Sequence, residues 1–599
     1  MLKSISLLLA VASVGFASPI AQRNTLCAND LSSATTGTCS VTWGGTAITG
    51  ASNGGACRYT VRYGSANRWE DSVAGTQTGV DAAAFPNYCP QATGYEFPSF
   101  VSSSLSASED CLFATVYAPA SATSDSALPV LVWVHGGSLI AGASTMSGLN
   151  ASALATEGNM IIVLLQYRLG PLGFLPPSIS PFASDPSFGL RDIILALNVV
   201  KSNIAAVGGS PSSVTLGGQS SGGTLVRMLY GAPTAKGLFN RVILQSDPFS
   251  STVQAGVESI IYGGLGCTTL DCYKGLSVDS LMSVTAQAQN TAAGTVTGLS
   301  VGSTFLPMFG SNTLPNDPTY LLFNSPSSLP ISPADVPLLL TEVKNEAGTA
   351  IGNNLPQMST SALGYSLYLV SFLGQSRAAA VTTSSYYAWD ASNTGADYFR
   401  EQMELVLTDG GWRCANREAA RKYAAAGGSV YFAEWTEGAT YANQPAFCTG
   451  KICHSDDIYP TFNTISCPSS AQSALESTIA SDWVAFIKSG APSSTWAKWT
   501  STSTDADVHN LGSGVTLNCP ANFWGTTAKW DFQLYSAPSG SSAASSSSSS
   551  SPVASSTVAS STVSSTTKAS STTKAASTTA KSSSSAAHTT STRCYGPRC

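Results

Sequence analysis

The stretch Gly218-Gln219-Ser220-Ser221-Gly222 constrains this chain more than any other, because of what flanks it. Residues 213–216 before it form a short β-branched run that reads as a buried strand, and residues 224–230 after it read as an apolar helix. To pass from strand to helix across so few residues, the backbone must turn sharply. Glycines two before and two after the serine permit that turn and leave the hydroxyl standing clear of a sheet. A bare G-x-S-x-G is usually an ordinary turn; strand and helix on its two sides make this serine a candidate nucleophile. The same alternation runs through the chain. Residues 130–134, 160–165, 241–244, 336–340 and 429–432 also read as buried strands, and Ile193, Leu197, Val200 and Ile204 recur as one apolar helical stripe. Alternating strands and helices predict an α/β fold whose large, mostly parallel central sheet is flanked by helices on both faces.

A serine hydroxyl is a poor nucleophile until a base takes its proton. The chain has only 4 histidines, so elimination works well. His588 lies in a Ser/Thr-rich end, and His509 sits in a polar stretch beside Asp505 and Asp507 that reads as surface. His135 abuts Gly136-Gly137 directly after a strand, where the backbone matters more than the imidazole. His454 remains, in a loop that Cys448 and Cys453 would brace by a local bridge. Reading Cys448, Cys453, His454 and Asp456 as metal ligands is the weaker alternative, since cysteines of exported proteins usually pair. No metal and no cofactor is expected.

The oxyanion that develops during acyl transfer needs preorganised N–H donors. The loop after residues 130–134 offers the amides of Gly137 and Ser138, and Ser221 adds the one next to the nucleophile. An acid must fix the tautomer of the imidazole. In the chain order serine, acid, histidine it falls between positions 220 and 454. Residues 336–340 run into Thr341-Glu342-Val343-Lys344-Asn345-Glu346, where spacing favours Glu346 and leaves Glu342 open.

Both ends of the chain differ from this middle. Lys3 followed by the apolar stretch 5–16, with Gly15 and Ala17 as small residues, reads as a signal peptide over 1–17. The stretch is too short to span a bilayer, and no transmembrane anchor is expected. Residues 538–592 are nearly all Ser, Thr and Ala, a composition that cannot offset its ordering entropy and predicts a disordered, O-glycosylated stalk suited to cell-wall or surface association. A short cysteine-containing tail, 593–599, closes the chain. Residues 18–537 then form the α/β-hydrolase domain. The 14 cysteines fit an oxidising, extracellular compartment, and Asn150-Ala151-Ser152 is an N-glycosylation sequon. Charged residues make up only 10% and the net charge is −6, so nothing marks the chain for nucleic acid.

From Cys39 to Trp530 these segments resemble the type-B carboxylesterase family of carboxylesterases, fungal lipases and cholinesterases. The resemblance rests on Glu109-Asp110-Cys111-Leu112, Tyr167–Phe174, the elbow with Asn203-Ile204, Gly208-Gly209 and 214–216 before it, Asn345-Glu346, and His454 with Asp457. It implies a secreted α/β-hydrolase that cleaves small-molecule or lipid esters, with Glu346 as the acid. It also implies the bridges Cys89–Cys111, Cys267–Cys272 and Cys414–Cys519, whereas Cys448–Cys453 is the local proposal above. Cys27, Cys39, Cys57 and Cys467 stay unassigned, as do Cys594 and Cys599. Ala114 and Thr115 depart from the cysteine signature's usual continuation. Three further departures bear on the site. Gln219 stands where the family usually has an acid, Ser138 replaces a third glycine, and Ala347 is an extra residue between Glu346 and Gly348.

Two alternatives accompany the esterase reading. One is a triacylglycerol lipase, in which Tyr95, Phe97, Phe100 and Val101 of the loop between Cys89 and Cys111 would anchor a lid rather than a rim. The other is a non-catalytic adhesion relative. A complete Ser220, Glu346 and His454 set argues against the second.

Overall fold

The computed structural model describes residues 39–92, 105–175, 185–249, 263–267, 269–295, 305–520, 522–530 and 535–536. The proposed leader, stalk, cysteine tail, Cys27 and the rim residues Tyr95, Phe97, Phe100 and Val101 lie outside them. The chain divides into the units 1–543 and 544–599, and every described residue belongs to the first.

Twelve strands form one sheet: β1 (Cys39–Trp43), β2 (Thr46–Asn53), β3 (Ala56–Arg62), β4 (Phe113–Pro119), β5 (Leu128–Val134), β6 (Ile161–Leu165), β7 (Gly209–Gln219), β8 (Arg241–Gln245), β9 (Leu338–Val343), β10 (Val430–Trp435), β11 (Lys498–Trp499) and β12 (His509–Leu511). Their order is β1-β2-β3-β4-β6-β5-β7-β8-β9-β10-β11, with β12 also paired to β10. The strands from β1 to β4, and β4 with β6, pair antiparallel; β6-β5-β7-β8-β9-β10 is parallel throughout. Seven helices matter below: α1 (Ser152–Gly158), α2 (Phe188–Asn203), α3 (Ser221–Met228), α4 (Gly348–Asn354), α5 (Tyr398–Thr408), α6 (Cys414–Ala425) and α7 (Ser470–Ser489).

The period of two in the parallel strands builds both faces at once. Val130, Val132 and Val134 of β5, with Ile161, Val163 and Leu165 of β6, pack on one side against Ile193, Leu197 and Val200 of α2. Leu131 and Trp133, with Ile162 and Leu164, pack on the other against Leu154 of α1 and Ile479, Trp483 and Phe486 of α7. At about 1.5–3 kcal/mol per fully buried aliphatic or aromatic side chain, this two-sided burial fixes strand register, since a one-residue slip would exchange the faces. The near-continuous apolar runs in the sequence are the signature of that burial.

Five disulfides join described residues. Cys89–Cys111, Cys267–Cys272, Cys414–Cys519 and Cys448–Cys453 are four of them. The fifth, Cys39–Cys57, ties β1 to β3, and Cys467 is itself disulfide-bonded. Asn150 is buried just before α1, where its Oδ1 accepts from the Ser152 hydroxyl at 2.7 Å.

Candidate active site

β7 runs through to Gln219, and α3 begins at Ser221. Ser220 alone occupies the turn between them, at φ 57° and ψ −131°. A non-glycine residue held in that region stores strain of about 1–3 kcal/mol, which the surrounding structure must impose. It is imposed by close packing: a Cβ at Gly222 would lie 2.2 Å from the Val134 carbonyl oxygen, so no larger residue fits under the turn. The Ser220 N–H donates to the Gln245 carbonyl at 2.8 Å, which locks the turn to β8. Gln219 and Ser221 are buried, while Ser220 stays half-exposed.

The loop after β5 lies against this turn. A Cβ at Gly136 would be 2.9 Å from the Ser220 Cβ, so glycine is required for so close an approach. Gly137, Ser138 and Leu139 follow with φ of 112°, 55° and 61°. Leu139 donates its N–H to the Ser221 hydroxyl at 3.2 Å, and the Gln91 side chain clamps Gly142 from both sides with hydrogen bonds of 3.0 Å. Among the described residues, the N–H groups of Gly137, Ser138 and Ser221 donate to no protein acceptor. Three preorganised donors are thus unspent beside the serine. His135 contributes through its backbone, its carbonyl accepting from Tyr167 at 2.8 Å. Burial pushes its imidazole down to about 4, so the ring is neutral.

His454 and Glu346 stand on adjoining loops. The Asn345 N–H donates to the Ile452 carbonyl at 2.9 Å, and the Ile452 N–H returns to Asn345 Oδ1 at 3.2 Å. The Cys448–Cys453 bridge packs on the start of α4, where a Cβ at Gly348 would meet Cys453 Sγ at 2.5 Å. Held this way, His454 Nδ1 lies 2.5 Å from Glu346 Oε2, and Glu346 Oε1 accepts from the Val343 N–H at 2.9 Å. Glu346 is fully buried, and the imidazole is partly exposed. Burial presses the imidazole's pKa down. The Glu346 carboxylate, by charge and hydrogen bond, raises it along with Asp457 and Asp456, and the net shift is upward. Nε2 faces the elbow, 3.4 Å from the Gln219 amide nitrogen.

The other candidates fall elsewhere. Glu342 is buried in an ion cluster, where Arg417 binds both it (2.8 Å) and Glu434 (2.7 Å). Burial pushes its carboxyl up to about 8. His509 is half-buried rather than a free surface residue, because its ring stacks on Trp496 with centroids 4.3 Å apart. The extra Ala347 is absorbed by a hydrogen bond of its N–H to the Thr408 hydroxyl at 3.0 Å. No group of three or more His, Cys, Asp or Glu that could hold a metal occurs among the described residues.

Sequence reasoning missed Gln245, which locks the elbow, and Trp412, whose ring meets that of His454 with centroids 5.8 Å apart. Asp409-Gly410-Gly411 before Trp412 was the available signal, since adjacent glycines in a helical stretch mark a local irregularity. Chemically, the assembly joins a strained exposed hydroxyl, an imidazole oriented by a carboxylate, and three free amide donors. That is the equipment for acyl transfer.

A family model described as "Carboxylesterase family" matches residues 60–518. Para-nitrobenzyl esterase of Bacillus subtilis (strain 168) is 32% identical over 286 residues, which cover 46% of this chain and 54% of that protein. Carboxylesterase 1D of Mus musculus is 29% identical over 415 residues, covering 65% of this chain and 70% of that one. The matched stretch therefore spans about half the length of the Bacillus relative. A solved structure titled PNB esterase superposes with a TM-score of 0.60 at 27% identity, covering 77% of this chain and 92% of that one.

Proposed function

Since the chain belongs to the carboxylesterase family, we propose that it is a serine hydrolase that cleaves carboxylic esters through an acyl-enzyme intermediate on its α/β-hydrolase fold. The observation that carries this reading is the 2.5 Å contact of Glu346 with His454 Nδ1, beside a turn that presents Ser220 to unspent amide donors. His454, with Nδ1 engaged by Glu346, takes the Ser220 proton on Nε2 as the hydroxyl attacks the ester carbonyl. The oxyanion is bound by the N–H groups of Gly137, Ser138 and Ser221. Collapse of the tetrahedral intermediate expels the alcohol, which receives the proton from His454. Water, activated by the same base, then hydrolyses the Ser220 ester. No metal or cofactor enters these steps. An exported setting agrees with the five described disulfides, and no described helix is long and apolar enough to cross a membrane.

Titration with diisopropyl fluorophosphate tests the reading. One equivalent should label Ser220 and abolish ester hydrolysis in proportion. An adhesion protein lacking a working nucleophile would not be labelled, and hydrolysis surviving full label would place the chemistry elsewhere.

The substrate class follows from charge. A quaternary ammonium is held by aromatic faces and helped by negative charge, because it has no hydrogen to donate. Gln219 is neutral where the resemblance leads one to expect an acid, and residues 90–110 contain no tryptophan. Two losses of about 1–2 kcal/mol each would weaken choline esters by roughly thirty- to a thousandfold. The expected result is a lower kcat/KM for acetylcholine than for 3,3-dimethylbutyl acetate, its uncharged isostere. A preference for the charged ester would refute the neutral-substrate reading.

A further inference from the structure

Between α5 and α6 the chain makes one π-helical turn, Asp409–Arg413. Such a turn is rare, and it is frequently found at functional sites. This one is firmly pinned. Arg413 pairs with Asp409 inside the turn, the Tyr387 hydroxyl donates to Asp409 at 2.7 Å, and Cys414, the next residue, is bridged to Cys519. Trp412 lies within it.

The indole N–H of Trp412 donates to the Ser246 carbonyl at 2.9 Å, and its ring meets the His454 imidazole edge to face, with planes 61° apart. Ser246 directly follows Gln245, whose carbonyl holds the Ser220 N–H. One half-buried indole thus links the segment that locks the nucleophile's turn to the ring that takes the nucleophile's proton. Glu346 engages the imidazole at Nδ1, one edge of the ring. The Gln219 amide touches the far edge only at 3.4 Å, near the limit of a hydrogen bond. The charged groups acting on the imidazole are Glu346, Asp457 and Asp456.

We infer that Trp412 is a positioning residue, whose ring, anchored on Ser246, sets the plane of the His454 imidazole so that Nε2 addresses Ser220. The inference rests on the function proposed above. It makes a specific demand: removing the ring should cost turnover and leave substrate binding nearly untouched, because the ring acts through the base.

The test compares Trp412→Ala and Trp412→Phe with the unaltered full-length protein, measuring kcat and KM on p-nitrophenyl acetate, and Tm. Misplacing a catalytic group by about 1 Å costs roughly 10²-fold, so Trp412→Ala should lower kcat about 30- to 100-fold with KM changed less than about twofold. Trp412→Phe keeps an aromatic wall without the N–H and should stay within about fivefold of the unaltered kcat. The inference is overturned by a kcat for Trp412→Ala close to the unaltered value, by a loss confined to KM, or by equal losses in both variants tracking a fall in Tm. Failure of the underlying reading is separable, because it shows in the unaltered protein as absence of organophosphate label on Ser220. Labelled protein with an indifferent Trp412→Ala sinks only the inference about Trp412.

Discussion

Replacing Ser220 by alanine is expected to lower kcat on p-nitrophenyl esters by about 10³-fold or more, with KM and Tm close to those of the unaltered protein. The loss corresponds to about 4 kcal/mol of transition-state stabilisation. Three features of the turn predict that the loss stays in the chemistry. Alanine keeps the same backbone, and a Cβ already lies at φ 57°, so the strain is unchanged. The hydrogen bond of residue 220 to the Gln245 carbonyl uses the backbone N–H, which alanine retains. The amides of Gly137, Ser138 and Ser221 also remain, so a residual rate above the uncatalysed one should persist. Near-normal turnover in this variant would remove the central assignment. A collapse of Tm would instead mean that the hydroxyl supports the fold.

The second large effect belongs to His454. His454→Ala should approach the Ser220→Ala loss, again about 10³-fold in kcat, because without a base the hydroxyl reverts to a weak nucleophile. His509→Ala should leave kcat within about twofold, while costing about 1 kcal/mol of stability through its lost stacking on Trp496. The reverse ranking would show that the wrong imidazole had been chosen. A pH profile adds a check with a definite sign. The base must be neutral to accept a proton, and carboxylate neighbours raise His454 above the ordinary histidine value. The acid limb of kcat/KM should therefore have its midpoint above about 6.5, with activity lost as pH falls through it.

What could be read in the sequence was what is decided locally. The elbow was legible because its geometry is written in five consecutive residues and their flanks. The parallel strands were legible because burial on both faces leaves uninterrupted apolar runs, although β7 (Gly209–Gln219) extends past the run 213–216 at both ends and β10 (Val430–Trp435) past the end of the run 429–432. The acid was harder. Glu342 and Glu346 differ by four positions, and what separates them lies far off in the chain. Arg417, 75 residues away, takes Glu342 into a buried ion cluster, and His454, 108 residues away, meets Glu346. For Trp412 the adjacent glycines before it marked only a local irregularity, and they did not reveal that a π-helical turn there brings the indole against His454. The Cys39–Cys57 bridge was hidden for a similar reason: it joins the first and third strands of a meander, a pairing that cysteine spacing does not encode.

The order of the sheet has a consequence for how the molecule comes into being. From β7 to β10 the strands lie side by side in the order in which a ribosome would make them. Ser220 follows β7, Glu346 follows β9, and His454 follows β10, so each group is delivered by a later stage of synthesis. A nascent chain could close the elbow against β5 and β8 while the proton acceptor was still inside the exit tunnel. Throughout that interval the strained hydroxyl would be present but inert. Reactivity would then switch on only when the segment carrying β10 and His454 docks on the growing edge, which makes hydrolysis a late reporter of assembly.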